Sequence, residues 1–176
     1  MWSQLIEALS RRRVPAEERL EDAGVRAGMK VADLGAGYGF FAFPAAQMVG
    51  VDGIVYAVEP NPKRAGDISQ RAGRRGAKNI VVVVSGAEDL SALPSGGIDL
   101  AMSISSFHHF ARPEKALSEM GRVVKPGGRA YIRDITAGKI FKHGSDPAEF
   151  RTVISEEFPR AAFEEGTGYV LARIEV

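Results

Sequence analysis

Short apolar runs recur along this chain with segments of helical length between them. Residues 31–34, 54–58, 80–84, 98–104 and 129–135 are apolar and mostly β-branched, with little polar alternation. Strands covered on both faces read this way. Between them, residues 40–49 follow a glycine-rich loop, and residues 62–72 begin with Pro62 in a first-turn position. Residues 113–124 place Ala116, Leu117, Met120, Val123 and Val124 on one face and stop at "KPGG". Such alternation predicts a mainly parallel sheet with helices on both sides. The ends differ. Trp2, Leu5, Ile6 and Leu9 form an amphipathic stripe, Arg11, Arg12 and Arg13 follow, and a second helix is expected over 16–23. Residues 146–158 read as a helix with Asp146 as N-cap and Pro147 at the first position. The closing "AAFEEGTGYVLARIEV" reads as two strands around a Gly-Thr-Gly turn. The expected fold is α/β: a three-layer αβα sandwich whose seven-stranded sheet is mainly parallel and ends in an antiparallel hairpin.

A chain of 176 residues can bury one such core, so a single domain over 1–176 is expected, with 1–27 as a helical cap on a core of 28–176. Basic and acidic residues nearly cancel, 23 against 22, which argues neither for nor against nucleic acid. Absence of cysteine excludes disulfides, thiolate metal sites and cysteine nucleophiles. The three histidines lack metal-ligand spacing along the chain, and no metal is expected. Residues 1–13 have no apolar core of a signal peptide, and every apolar run is too short to span a bilayer. A cytoplasmic location is the expectation.

Function concentrates in "VADLGAGYGFF". In open α/β sheets ligands sit at the carboxyl ends of strands, beside the first βα loop. Here Gly35, Gly37 and Gly39 occupy that loop, where missing side chains let backbone N–H groups and a helix N-terminus approach a polar group. The second strand ends in Glu59, placed to accept hydrogen bonds from both hydroxyls of a ribose. Nicotinamide enzymes usually show G-x-G-x-x-G, but this series is G-x-G-x-G with Phe40 in the next position. Asp33 before the loop would repel a pyrophosphate, yet it can pair with an ammonium group. That combination favours S-adenosylmethionine over a nicotinamide cofactor.

The same stretch resembles motif I of the class I S-adenosylmethionine-dependent methyltransferases, and "YAVEPNP" is similar to their motif II. "SGAEDL" falls where their adenine-contacting loop does, "IDLAMSISSFHHF" resembles motif IV, and "ALSEMGRVVKPGGRAYI" the helix, loop and strand that follow. The resemblance covers about residues 28–135 in order and implies a Rossmann-like methyltransferase domain. It implies that Gly35, Ala36 and Gly37 contact the aminocarboxypropyl part of the cofactor, with Asp33 in support and Tyr38 and Gly39 beside them. Glu59 would hold the ribose, Pro60 and Asn61 would line the adenine side, Ala87 would offer its N–H to adenine, and Ser103 its carbonyl to the ammonium. Gly86 departs from the pattern, because many relatives read the adenine amino group with Asp or Asn there. Glu88 or a backbone carbonyl would then substitute.

Transfer from a sulfonium needs positioning above all, so no catalytic residue is demanded. His108, His109 and Asp134 are the candidates near the methyl group, with ordinary loop packing as the competing reading of the histidines. "SISSFHHF" lacks the proline run of enzymes that methylate planar nitrogen, and the "HHF" form looks more like the branch acting on small molecules, quinone precursors included. A small-molecule acceptor is therefore expected. RNA or protein is the alternative, drawn from the basic cluster Arg64, Arg71, Arg74, Arg75 and Lys78. Two further readings are a non-catalytic S-adenosylmethionine-binding protein and a homo-oligomer whose second subunit completes the pocket left open by a short cap. Residues 136–145 read as a mobile rim of that pocket.

Overall fold

The computed structural model describes residues 15–136 and 143–176. The stripe and arginines of the first thirteen residues, and most of the expected rim, lie outside the described residues.

Helix α1 (Ala16–Ala23) precedes β1 (Lys30–Leu34), α2 (Ala42–Val49), β2 (Ile54–Val58), α3 (Pro62–Arg75), β3 (Ile80–Val83) and β4 (Ile98–Ile104). A 3-10 turn (Phe107–His109) leads to α4 (Pro113–Val123), β5 (Val124–Ile135), α5 (Pro147–Glu157) and the strands β6 (Ala162–Gly166) and β7 (Tyr169–Glu175). One seven-stranded sheet runs in the order β3-β2-β1-β4-β5-β7-β6. Strands β1 to β5 pair in parallel, whereas β7 is antiparallel to both β5 and β6. The expected architecture is the observed one.

Period-two alternation divides the strand residues between two cores. Val31, Val55, Leu100 and Met102 face one cluster with Leu20, Phe43 and Ile68 of the helices. Ala32, Val58, Ala101 and Ile132 face the other, with Leu117, Met120, Phe150 and Ile154. Fully apolar strands result because both faces are covered. Among the described residues no helix is long and apolar enough to cross a membrane.

Several expected boundaries move. Helix α3 runs one turn past residue 72, to Arg75, and ends where Gly76 takes φ +63° and returns its N–H to Ala72 and Gly73 carbonyls. Helix α2 starts at Ala42, because Gly39 to Phe41 still belong to the turn. The third strand ends at Val83. Strand β5 already begins at Val124, and "KPGG" is an irregularity within it: pairing slips from Ile98↔Val124 to Leu100↔Arg129. Pro126 has no N–H to give the ladder, and Gly127 sits at φ +76°, so the strand bulges there instead of starting later.

Polar tethers hold the periphery. Asp22 accepts hydrogen bonds from the Tyr131 hydroxyl at 2.7 Å and from Arg173 at 2.6 Å, tying α1 to β5 and β7. Glu119 accepts from Arg122 and from the Leu90 N–H at 2.7 Å, and Arg122 also donates to the Leu90 carbonyl, which fastens the loop after β3 to α4.

Candidate active site

Strand order reverses between β1 and β4, from which the chain departs to opposite sides. A crevice at the carboxyl ends of these two strands is the expected ligand site of such a sheet. Gly35, Gly37 and Gly39 all take positive φ, at +77°, +58° and +78°. A Cβ on Gly35 would fall 2.6 Å from the Cβ of Ser106, so only glycine lets the first loop lie against the loop after β4. Around the corresponding position on Gly37 nothing stands within 4 Å: this part of the loop faces open space.

The amides of the loop do not point outward as an anion cradle. Gly35 and Ala36 both donate to the Val58 carbonyl at 2.9 Å, and Gly39 donates to Ala36 at 2.8 Å. The Gly37 N–H goes to Glu59 Oε2 at 2.8 Å. The loop thus wraps back onto the end of β2, because β2 is the adjacent strand and its last carbonyl and carboxylate are the nearest acceptors. Glu59, only 3 % exposed, uses Oε1 to accept from the Asn61 N–H at 2.9 Å. It connects the glycine loop with the start of α3, and its oxygens keep lone pairs for further hydrogen bonds. Asn61 also caps α3, where its Oδ1 accepts from the Lys63 and Arg64 N–H groups at 3.0 and 3.2 Å. Pro60 lies exposed beside it, and Asp33 is buried at the tip of β1.

Beyond β3, Ala87 is buried against the second core. Glu88 Oε1 accepts from the Ala111 N–H at 2.7 Å and the Arg112 N–H at 3.2 Å, holding the entry to α4. Its Oε2 lies 2.5 Å from where a Cβ on Gly86 would stand. Gly86 and Glu88 are therefore one arrangement. The carboxylate of Glu88 occupies the place from which a side chain at position 86 would reach out.

Ser103, next to last in β4, stands one residue past the last pair with β1, Asp33↔Met102. Its hydroxyl meets the Ser106 hydroxyl at 2.8 Å, and Ser106 donates to the Leu34 carbonyl at 2.7 Å, so the two strand tips are joined through Ser106. Ser105 between them holds φ +58°, a strained conformation for a residue with a side chain. Ser106 escaped the sequence reading, although the serine run in "SISSF" marks the place.

The candidates beyond β4 also converge. Asp134 is buried at the end of β5 and accepts from the His108 N–H at 2.8 Å, the Ile135 N–H at 3.0 Å and the Ser145 hydroxyl at 2.6 Å. His108 Nδ1 lies 2.8 Å from Asp134 Oδ1. A carboxylate oxygen accepts, so Nδ1 is the donor in this pair and Nε2 is the nitrogen turned away from Asp134. His143 Nε2 stands 3.2 Å from that nitrogen. Spacing along the chain does not describe these histidines: ring nitrogens of His108, His109 and His143 all lie within 4.8 Å of one another. Position 143 carries no signal in the sequence, since its approach depends on where α5 begins. A cavity of about 330 Å³ adjoins His108 and is walled by Phe107, Phe110, Phe150, Ser145 and Glu149.

Three of the five residues of the basic cluster are folded onto the protein, while Arg74 bonds to Gln70 of its own helix and Lys78 is exposed. Arg71 and Arg75 lie over the Phe43 ring at 4.4 and 4.8 Å, and Arg64 over half-exposed Tyr38 at 5.5 Å. Arg71 also donates to the Tyr38 carbonyl, so these arginines clamp the glycine loop.

Comparison with known proteins identifies the family. A family model described as "Methyltransferase domain" matches residues 32–132. Aklanonic acid methyltransferase DauC of Streptomyces sp. (strain C5) is 30 % identical over 120 residues, covering 68 % of this chain and 52 % of that protein. A ubiquinone/menaquinone biosynthesis C-methyltransferase, UbiE of Pasteurella multocida, is 30 % identical over 122 residues, covering 66 % and 44 %. The chain spans about half the length of these curated relatives. Among solved structures, a SAM dependent methyltransferase from Aquifex aeolicus superposes with a TM-score of 0.83 at 24 % identity, covering 97 % of this chain and 96 % of that one, a likeness of fold. With the family model spanning the glycine loop through β5, the chain belongs to the methyltransferase domain family, the class I S-adenosylmethionine-dependent methyltransferases.

Proposed function

We propose that this chain binds S-adenosylmethionine across the carboxyl ends of β1, β2 and β4 and transfers its methyl group to a small organic acceptor. The observation that carries the reading is the pairing of Glu59 with Gly37: a buried carboxylate at the β2 tip meets a loop whose outer side is open space. That is a nucleoside-shaped arrangement, with Asp33 set to face an ammonium group and Ala87 beside the adenine. The cofactor supplies a methyl group already activated on a sulfonium. The protein's part is to hold the acceptor in line, which can contribute roughly 7–11 kcal/mol. The aromatic-walled cavity beside His108 is the acceptor side, and the names of these two relatives, an aklanonic acid methyltransferase and a ubiquinone/menaquinone biosynthesis C-methyltransferase, support a small organic acceptor.

Calorimetric titration with S-adenosylmethionine, S-adenosylhomocysteine and NADH tests the cofactor. Binding of the first two without NADH is expected, and NADH binding alone would overturn the reading. Glu59→Ala should weaken cofactor binding by more than tenfold while circular dichroism shows the fold retained. Unchanged affinity would remove Glu59 from the ribose role. Transfer of labelled methyl to quinone precursors and hydroxylated polycyclic ketones then tests the acceptor class, with transfer to RNA or protein alone as the contrary result.

A further inference from the structure

We propose that His108, His109 and His143 form a binding site for one divalent transition-metal ion of the zinc class, with Asp134 holding His108 in place as its ligand. The inference rests on the reading of this end of the sheet as the acceptor side, but the ion itself is measured without cofactor or acceptor.

Four observations carry it. The ligand nitrogens of the three histidines converge within 4.8 Å although they come from two separate segments. The 3.2 Å between His108 Nε2 and His143 Nε2 is close to the spacing of two nitrogens on one tetrahedral ion, roughly 3.4 Å for metal–nitrogen bonds of about 2.05 Å. His109 stands in the same group, its ring centroid 4.0 Å from that of His108 and 5.3 Å from that of His143, and His109 and His143 are both exposed. Finally, the bond from His108 Nδ1 to Asp134 is the carboxylate–histidine arrangement that orients a metal-binding imidazole. It orients the ring so that Nε2 is the nitrogen turned toward His143 and free of the carboxylate. Asp134, committed to His108, Ile135 and Ser145, acts behind the ligand rather than on the ion.

Ligand chemistry selects the ion. Three neutral imidazoles suit zinc, cobalt, nickel or copper, whereas magnesium and calcium want oxygen donors. Three protein ligands leave a fourth position, as in open rather than structural zinc sites. Of the three ligands, His108 also lines the cavity of about 330 Å³, together with Ser145 and Glu149. Water or an oxygen donor of the acceptor fits there, and His108 then serves as a ligand in place of a proton acceptor.

The test uses the full chain, stripped with chelator and dialysed. Titration with Zn²⁺ should show one ion per chain at micromolar or tighter affinity, and Co²⁺ should give the intense visible bands of four-coordinate cobalt. Mg²⁺ should give no comparable heat. His143→Ala and His109→Ala should each weaken Zn²⁺ at least tenfold while leaving S-adenosylhomocysteine affinity unchanged. Asp134→Asn should weaken it about 10–100-fold, with Asp134→Glu closer to the parent. No Zn²⁺ binding, or binding that His143→Ala leaves intact, overturns the site; it leaves the three rings as a hydrogen-bonded cluster. Loss of S-adenosylhomocysteine binding in the unsubstituted chain would instead overturn the proposed function, so the two failures are distinct.

Discussion

Gly86 lacks a Cβ, and the Glu88 carboxylate uses the room. The two positions share one space, and their coupling is testable. Gly86→Asp should lower S-adenosylhomocysteine affinity, because the new side chain meets Glu88 Oε2 and adds a like charge beside it. Glu88→Ala alone should also weaken binding by about tenfold, or about 1.4 kcal/mol. Together the two changes should recover most of the loss, as measured by calorimetry. A double variant no better than Glu88→Ala would dissolve the link. The departure at Gly86 is legible from the chain, but the collision at 2.5 Å is not, since it depends on a rotamer set by amides at Ala111 and Arg112.

Among the elements, α5 has the most influence on the acceptor side. Its N-cap was readable: Asp146 accepts from the Ala148 and Glu149 N–H groups at 2.9 and 3.0 Å, with Pro147 at the first position. Its partner was not. Phe150 packs edge-on against Phe107 of the 3-10 turn, ring centroids 5.4 Å apart, and so fixes the element that carries His108 and His109. Phe150→Ala should cost about 3–5 kcal/mol. Thermal denaturation should show a midpoint lowered by roughly 6–20 °C. Zn²⁺ affinity should fall with it, while the glycine loop, held from β2, keeps its cofactor affinity. A variant melting within about 2 °C of the parent would mean that this face collapses without loss.

At the scale of the whole molecule, carboxylates on three sides hold the layers together in their charged form. Burial alone would raise Asp22, but bonds from Tyr131 and Arg173 outweigh it and hold the group below the usual range. Burial likewise works against Asp99, where Lys125 and the Lys30 N–H prevail and the shift is again downward. For Glu119 the hydrogen bond from Arg122 is the largest influence and lowers it against burial. Each folded-state value lies below its unfolded one, so the linked stability is complete above the ordinary carboxylate range and disappears as pH falls through the folded values. Urea midpoints should therefore stay level from about pH 7 to pH 5 and decline below about pH 4. Asp22→Asn should make that decline shallower; an identical acid slope would refute its share. What the chain encodes locally is periodicity, turn chemistry and backbone permission, because each is settled within a few residues. The β–α alternation, the cap at Asp146, the glycine loop and Glu59 were accordingly all readable. Tertiary structure alone decided which side chains meet across elements. The turning of the loop amides onto Val58 and Glu59, the Ser103–Ser106–Leu34 tie and the gathering of His108, His109, His143 and Asp134 depend on strand order and register. Those are sums of many distant contacts, and no single stretch of the chain contains them.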